Sequence, residues 1–214
     1  ISKVNKYLDK GDQVLFFLNR RGYSPFVICK SCGYKFQCPN CAVNLIFHKN
    51  LNRLLCHYCG HKSKLLRNCD NNKKCDLQFC GPGVERIFSE LKKIYPDKKI
   101  EIFSSDTMKK SNLSSKLLKK VEKKKIDILV GTQLLSKGFH FPELNCIVVV
   151  DSDFSSHGYD LRTAEKNIQL YHQLSGRAGR FSSESLIIYQ TLSPHDTTLN
   201  ELIKNKSEQL LKNE

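Results

Sequence analysis

No glycine in this chain is followed by lysine, although there are eleven glycines. A Gly-Lys-Ser/Thr cradle for nucleotide phosphates is therefore missing, which excludes a self-contained P-loop NTPase in these 214 residues. No run of about 18 apolar residues occurs, so a hydrophobic membrane-spanning helix is not expected. A secretory leader pattern is lacking too, and a soluble, cytoplasmic chain is the expectation. Methionine occurs once, at Met108, and the first residue is Ile1, so a piece of a longer polypeptide is expected. Acidic residues are few beside basic ones, 21 against 35, for a formal net charge of +14. That balance favours a polyanionic partner; the competing reading is a lysine-rich surface that serves only solubility.

What the chain has in plenty is cysteine. Eight of its ten cysteines fall between Cys29 and Cys75. Cys29-x-x-Cys32, Cys38-x-x-Cys41 and Cys56-x-x-Cys59 follow one another, then Cys69 and Cys75. Without a secretory context this spacing favours metal over disulfides. Each close pair presents two thiolates on a tight turn, and tetrahedral zinc takes four such ligands. Gly33 and Gly60, just after second cysteines, suit backbone turned towards a metal. Asn44–His48 and Leu51–Leu55, joined through Lys49-Asn50, read as a hairpin between two knuckles, as in a zinc ribbon. The last pair is irregular, and Cys80 is a rival ligand to Cys75. His48, His57 and His61 are further substitutes, for which hairpin and surface positions are the simpler account. Cys146, in an apolar run, reads as buried packing.

Outside this module, strand and helix patterns alternate. Val14–Leu18, Ile100–Phe103, Ile126–Val130, Cys146–Val150 and Leu186–Tyr189 are short apolar runs of the kind found in buried parallel strands. Helical periodicity marks residues 1–10, Val84 to Ile94, 107–124, 163–175 and a polar segment from about Pro194. The alternation predicts an α/β fold with a parallel sheet flanked by helices, and the cysteine module inserted after the first strand. In such sheets ligands bind beyond the carboxyl ends of strands. Asn19, Arg20 and Arg21 stand at one such end, where they suit either a phosphate contact or a solvated loop.

Gln173 to Arg180, Gln-Leu-Ser-Gly-Arg-Ala-Gly-Arg, puts Arg177 and Arg180 three residues apart, a spacing that shares one face on a helical turn. Two rigid guanidinium forks with glycines around them suit a polyphosphate. The alternative is an ion-paired helix end.

Taken together, Leu18–Tyr23, the cysteine module, Gly81-Pro-Gly-Val-Glu-Arg86, Gly131 to Pro142 and Gln173 to Arg180 resemble, in order, the primosomal protein N′ family, the replication-restart helicases of superfamily 2 in bacteria. The resemblance covers nearly the whole chain. It implies a second, RecA-like motor lobe of an ATP-dependent 3′-to-5′ DNA helicase that acts at stalled or abandoned forks and initiates primosome assembly. Residues 1–28 would begin that lobe, 29–80 form the zinc-binding insertion, 81–193 complete the lobe, and 194–214 lead to a carboxyl-terminal domain. The family's nested knuckles imply Cys29, Cys32, Cys69 and Cys75 at one zinc ion, and Cys38, Cys41, Cys56 and Cys59 at a second. Asn19 to Tyr23 resembles motif IV, with Asn19, Arg20 and Arg21 towards DNA. Thr132 to Pro142 resembles motif V, with Thr132, Gln133, Lys137 and Gly138 towards nucleotide and Lys137 also towards DNA. Gln173, Gly176, Arg177 and Arg180 resemble motif VI, the arginine side of an ATP–magnesium cleft.

The chain departs from the pattern in two places. His140 stands where many superfamily 2 motors carry Asp, although a His-Phe-Pro run resembles this particular family, and Asn72 stands where the fourth knuckle has its second cysteine. Val148–Asp151 has the shape of a magnesium-binding strand, but without a P-loop Asp151 reads as a strand-end carboxylate. The chain alone is expected to be inactive, and ATP would be held mainly by a first lobe. The implied partners are single-stranded and forked DNA, single-strand-binding protein and other primosome proteins, with a monomeric state and no membrane. The alternative is a non-catalytic zinc-ribbon protein, derived from such a helicase, that binds nucleic acid or a partner.

Overall fold

The computed structural model describes residues 1–18, 24–65, 76–104, 111–132, 141, 143–153, 163–175 and 185–204. Five short apolar strands form one parallel sheet: β1 (Gln13–Phe17), β7 (Ile100–Phe103), β8 (Ile128–Gly131), β9 (Leu144–Val149) and β10 (Leu186–Tyr189). Their order is β10-β9-β1-β8-β7, with β1 in the middle. The strands carry apolar side chains at successive positions because both faces of a parallel sheet are covered.

Side-chain alternation sorts these residues into two cores. Leu15, Phe17, Leu129, Ile147 and Val149 pack with Val121 of α3 (Ser111–Glu122), with Ile168, Tyr171 and Leu174 of α4 (Thr163–Ser175), and with Leu199 and Leu202 of α5 (Thr197–Ile203). Val14, Leu18, Ile128, Val130, Cys146 and Val148 face the other way. They meet Val4 and Leu8 of α1 (Ser2–Asp9) and Val84 and Leu91 of α2 (Val84–Ile94). The result is a three-layer sandwich, helices over both faces of a parallel sheet, as the alternating pattern predicts. Cys146 is fully buried in it. Gln13 ties two elements at the sheet's lower edge, its side-chain amide donating to the carbonyls of Val121 (3.1 Å) and Ile126 (2.9 Å).

Some boundaries differ from the sequence expectation. β8 starts at Ile128 and β9 at Leu144, each shifted by two residues. Ile94, expected on the apolar face of α2, is 48% exposed at its last turn.

Between β1 and α2 the chain leaves the sandwich and builds a cysteine-rich arm. Its stem is an antiparallel pair, β2 (Phe26–Cys29) with β6 (Leu77–Cys80). Beyond the stem, β3 (Ile46–His48), β4 (Arg53–Leu55) and β5 (Lys62–Lys64) form a three-stranded antiparallel sheet. The hairpin read from the sequence is β3–β4. The strands β2, β5 and β6 were not expected from the sequence: β2 runs straight into the first cysteine pair, β6 mixes polar with apolar residues, and β5 is polar throughout. The arm has its own small core of Val27, Phe36, Leu45, Phe47 and Leu54.

Candidate metal centre and motor face

Each close cysteine pair folds into the same local device. In the first, the Gly33 N–H donates to the Cys29 carbonyl and the Cys29 N–H to the Tyr34 carbonyl. In the second, Ala42 donates to Cys38 and Cys38 to Val43; in the third, Gly60 donates to Cys56 and Cys56 to His61. The residue after each second cysteine takes a left-handed conformation: φ is 73° at Gly33, 54° at Ala42 and 78° at Gly60. That turn folds the backbone over and aims N–H groups at sulfur. Glycine meets it without strain, whereas Ala42 bears a steric cost. The sequence pointed to Gly33 and Gly60 but not to Ala42, whose only signal is its position after the second cysteine.

Two of the three knuckles converge. The sulfurs of Cys38, Cys41, Cys56 and Cys59 all lie within 4.8 Å of one another, with Cys38 and Cys59 Sγ atoms 3.6 Å apart. Tetrahedral zinc with sulfur ligands at about 2.3 Å sets its sulfurs about 3.8 Å apart, so the cluster has the size for one ion. Its electrostatics are those of ligands waiting for a cation. The His61 N–H, and hydrogen bonds from neighbouring thiols, outweigh burial and bring Cys59 down from the usual 9.0 to about 6. The hydrogen bond to Cys59, with burial and the Cys56 sulfur, pushes Cys41 up to about 12. Burial likewise raises Cys38, helped by its bonds to Cys59 and Cys56. Without a metal the cluster holds one negative charge readily and resists further ones; a dication removes that resistance. Zinc bound here would cross-link the β3–β4 hairpin to the chain before and after it.

The first knuckle sits at the end of β2. Burial acts to raise Cys29, but N–H groups of Cys32, Ser31 and Asp76 aimed at its sulfur bring it down to about 6. The Asp76 carbonyl also accepts from Lys30 N–H at 2.8 Å. Cys69 and Cys75 lie outside the described residues. Cys80, the rival ligand, stands opposite Phe26 while Cys29 stands opposite Leu77. Three positions along the ladder is about 10 Å and the other face of the pair, so Cys80 does not share a ligand position with Cys29.

Of the motor residues, Thr132 directly follows β8, is buried, and donates its N–H to the Phe103 carbonyl. Gln173 is exposed in the last turn of α4. Asn19, Arg20, Arg21, Gln133, Lys137, Gly138, Gly176, Arg177 and Arg180 lie outside the described residues. The register still relates the strands that lead to several of them. Phe17 of β1 pairs with Gly131 of β8 on one side and Val149 of β9 on the other. The chain after β1, Thr132 after β8, and Asp151 after β9 (φ 55°) therefore depart from one carboxyl edge of the sheet. That edge is where open α/β sheets bind ligands. The cysteine arm also departs from it, after β1.

A contact that the sequence did not disclose joins arm and sandwich. Glu85, in the first turn of α2, accepts from His48 Nδ1 at 3.1 Å and from the Lys49 N–H at 3.0 Å. His48 is only 4% exposed, a hairpin residue but not a surface one. Its other nitrogen, Nε2, lies 2.9 Å from Nε2 of His57, inside the third knuckle.

A parallel sheet covered by helices on both faces, with three strands ending together at its carboxyl edge, defines an open, layered α/β domain. Residues 50–182 match the family model described as helicase conserved C-terminal domain, and the chain belongs to that family. It is similar throughout to proteins named replication restart protein PriA. The one from Rickettsia conorii is 40% identical over 100% of this chain and 33% of its own length. That of Bacillus subtilis is 39% identical over 91% of this chain and 24% of its own. For Borreliella burgdorferi the figures are 37%, 99% and 32%. The resemblance read from the motifs is thus confirmed, and the chain spans a quarter to a third of these relatives. Among the described residues, no helix is long and apolar enough to cross a membrane.

Proposed function

We propose that this chain is the second motor lobe of an ATP-dependent 3′-to-5′ DNA helicase that remodels stalled or abandoned replication forks and initiates primosome assembly. The observation that carries this reading is the pairing of a helicase carboxyl-terminal lobe with an inserted arm of repeated cysteine knuckles. In this reading the units are 1–28, 29–80, 81–193 and 194–214, as divided above. The arm takes two zinc ions, one at Cys38, Cys41, Cys56 and Cys59 and one at Cys29, Cys32, Cys69 and Cys75. The shared knuckle geometry and the lowered Cys29 support the second site.

Asn19, Arg20, Arg21 and Lys137 contact the DNA backbone. Thr132, Gln133, Lys137 and Gly138 line the nucleotide side, and the position of Thr132 directly after β8, at the carboxyl edge, supports that reading. Gln173, Gly176, Arg177 and Arg180 face the phosphates of ATP and its magnesium, held mainly by a first lobe that carries the P-loop. The protein works as a cytoplasmic monomer with single-strand-binding protein and primosome proteins as partners.

The test uses the full-length protein. Arg180→Lys keeps the charge but loses the fork that spans two phosphate oxygens. DNA-stimulated ATPase activity should fall at least about a hundredfold, in line with removal of one transition-state donor. Folding and DNA binding should be nearly unchanged. Normal turnover with a destabilised fold would instead make Arg177 and Arg180 a structural ion-pair site, and would favour a non-catalytic zinc-ribbon protein.

A further inference from the structure

We propose that Glu85, His48 and His57 form a relay that carries the state of the four-cysteine site into the first turn of α2. The inference rests on reading Cys38, Cys41, Cys56 and Cys59 as a zinc site. It also gives a role to the Gly81-Pro-Gly-Val-Glu-Arg86 stretch, which neither the metal nor the motor chemistry uses.

The atoms run in one line. The Glu85 carboxylate can only accept, so His48 presents Nδ1–H to it. With that proton on Nδ1, Nε2 of His48 and Nε2 of His57, 2.9 Å apart, share one proton between the two rings. His57 is the residue immediately after the metal-ligating Cys56 and belongs to the knuckle closed by the Gly60 N–H to the Cys56 carbonyl. Its ring is therefore held where the knuckle holds it. The second oxygen of Glu85 takes the Lys49 N–H at the β3–β4 turn. Glu85 thus grips the hairpin by a side chain and by backbone at once, which fixes orientation as well as distance. Little water reaches the grip: the His48 side chain is 5% exposed and that of Glu85 14%. Charge-assisted bonds are stronger there than at an open surface. The carboxylate also lies in the first turn of α2, where the helix dipole favours negative charge.

Across the knuckle–hairpin–helix line, loss of the metal loosens residues 56–59 and frees the His57 ring. His48 then loses one of its two partners, and α2 loses its purchase on the arm. Because α2 packs on β7 and β8, with Val84 and Leu91 in one cluster with Ile100, Ile128 and Val130, the lobe senses whether the arm is metallated. Glu85 is a positioning residue in this scheme and touches no reacting atom.

The experiment is amide hydrogen exchange at residues 84–89 of the full 214-residue chain. The chain is examined with zinc chloride and after chelation, with bound zinc counted in parallel. Wild type, Glu85→Gln and His57→Ala are compared; His57→Ala leaves every cysteine in place. In wild type, chelation should speed exchange at 84–89 by roughly tenfold or more, the equivalent of one charge-assisted bond lost. In His57→Ala, zinc should bind as in wild type while 84–89 no longer responds to its removal. In Glu85→Gln, those amides should be fast with or without zinc. Wild-type exchange at 84–89 that ignores chelation, or a His57→Ala chain that keeps the full response, overturns the relay. A chain that takes up no zinc overturns the metal reading itself. In that event the relay falls with it, because no metal state is left to carry; zinc uptake without a response at 84–89 overturns the relay alone.

Discussion

The three knuckles show how a single backbone angle decides what a cysteine can do. Gly60 has φ of +78° and nothing within 4 Å of where a Cβ would stand. Replacing it by alanine creates no clash, so the whole cost is left-handed strain of about 1 kcal/mol. Gly60→Ala should weaken zinc affinity roughly fivefold in a chelator competition. Ala42→Gly should leave it unchanged or raise it slightly, since Ala42 already sits at φ of 54°. The thiols also set how the metal-free arm depends on pH. Cys59 is lowered to about 6, so its contribution is full above the ordinary 9.0 and fades as pH falls towards 6. Cys41 is raised to about 12, so its contribution is full below 9.0 and fades as pH rises towards 12. The metal-free arm should therefore be most stable near pH 9, with Cys59 as thiolate and Cys41 as the thiol donating to it. Thermal melts of the chelated chain across that range check this; an optimum displaced well below pH 7 would contradict it.

Among the elements, the arm and the sandwich differ in what holds them. The sandwich has two extensive cores, one on each face of β1. The arm buries only a handful of apolar side chains around Leu54 and Phe47, and its strands are three or four residues long. A module of that size draws much of its folding free energy from metal, on the order of 10 kcal/mol for structural zinc. Metal analysis of the purified chain should find about two equivalents of zinc. Chelation should then abolish exchange protection in the β3–β4 hairpin while β1, β8 and β9 stay protected. One equivalent, with Cys69 and Cys75 readily alkylated in the native protein, would leave the four-cysteine cluster as the sole site. The elements also show why sequence patterns work unevenly. The helix Val84–Ile94 and the strand Leu186–Tyr189 were legible because the helix repeats its apolar residues at a helical period and the strand is an apolar run bounded by polar residues. The stem strands β2 and β6 were not, because a pair held by ladder bonds and cysteine geometry needs little periodicity of its own.

For the molecule as a whole, the topology gathers three strand ends at one edge. β1 lies between β8 and β9, so three chain departures and the base of the arm crowd the carboxyl side of the sheet. With a formal charge of +14, the chain should bind single-stranded or forked DNA weakly and without sequence preference. Counterion release then makes affinity fall steeply between low and physiological salt. Titration of a labelled single strand at several salt concentrations checks this. No binding at low salt would mean that the lysines serve solubility alone.

The sequence by itself determined the layered α/β class, the metal-ligand spacing of the cysteines and the family, since each rests on short-range pattern: apolar runs, Cys-x-x-Cys pairs and ordered motifs. It also excluded a Gly-Lys-Ser/Thr phosphate cradle within these residues, because a glycine–lysine pair never occurs. The resemblance already implied that Cys38, Cys41, Cys56 and Cys59 meet, and the structure brings them together; only the tertiary structure decided that Cys80 faces away from Cys29 and that Glu85 grips His48 and Lys49. These are contacts between residues far apart in the chain. Residues 48 and 85 lie on a hairpin and a helix whose separate patterns say nothing of their mutual approach. The distance between them is set by the ladder of β2 with β6, which brings the arm back beside the helix that follows it.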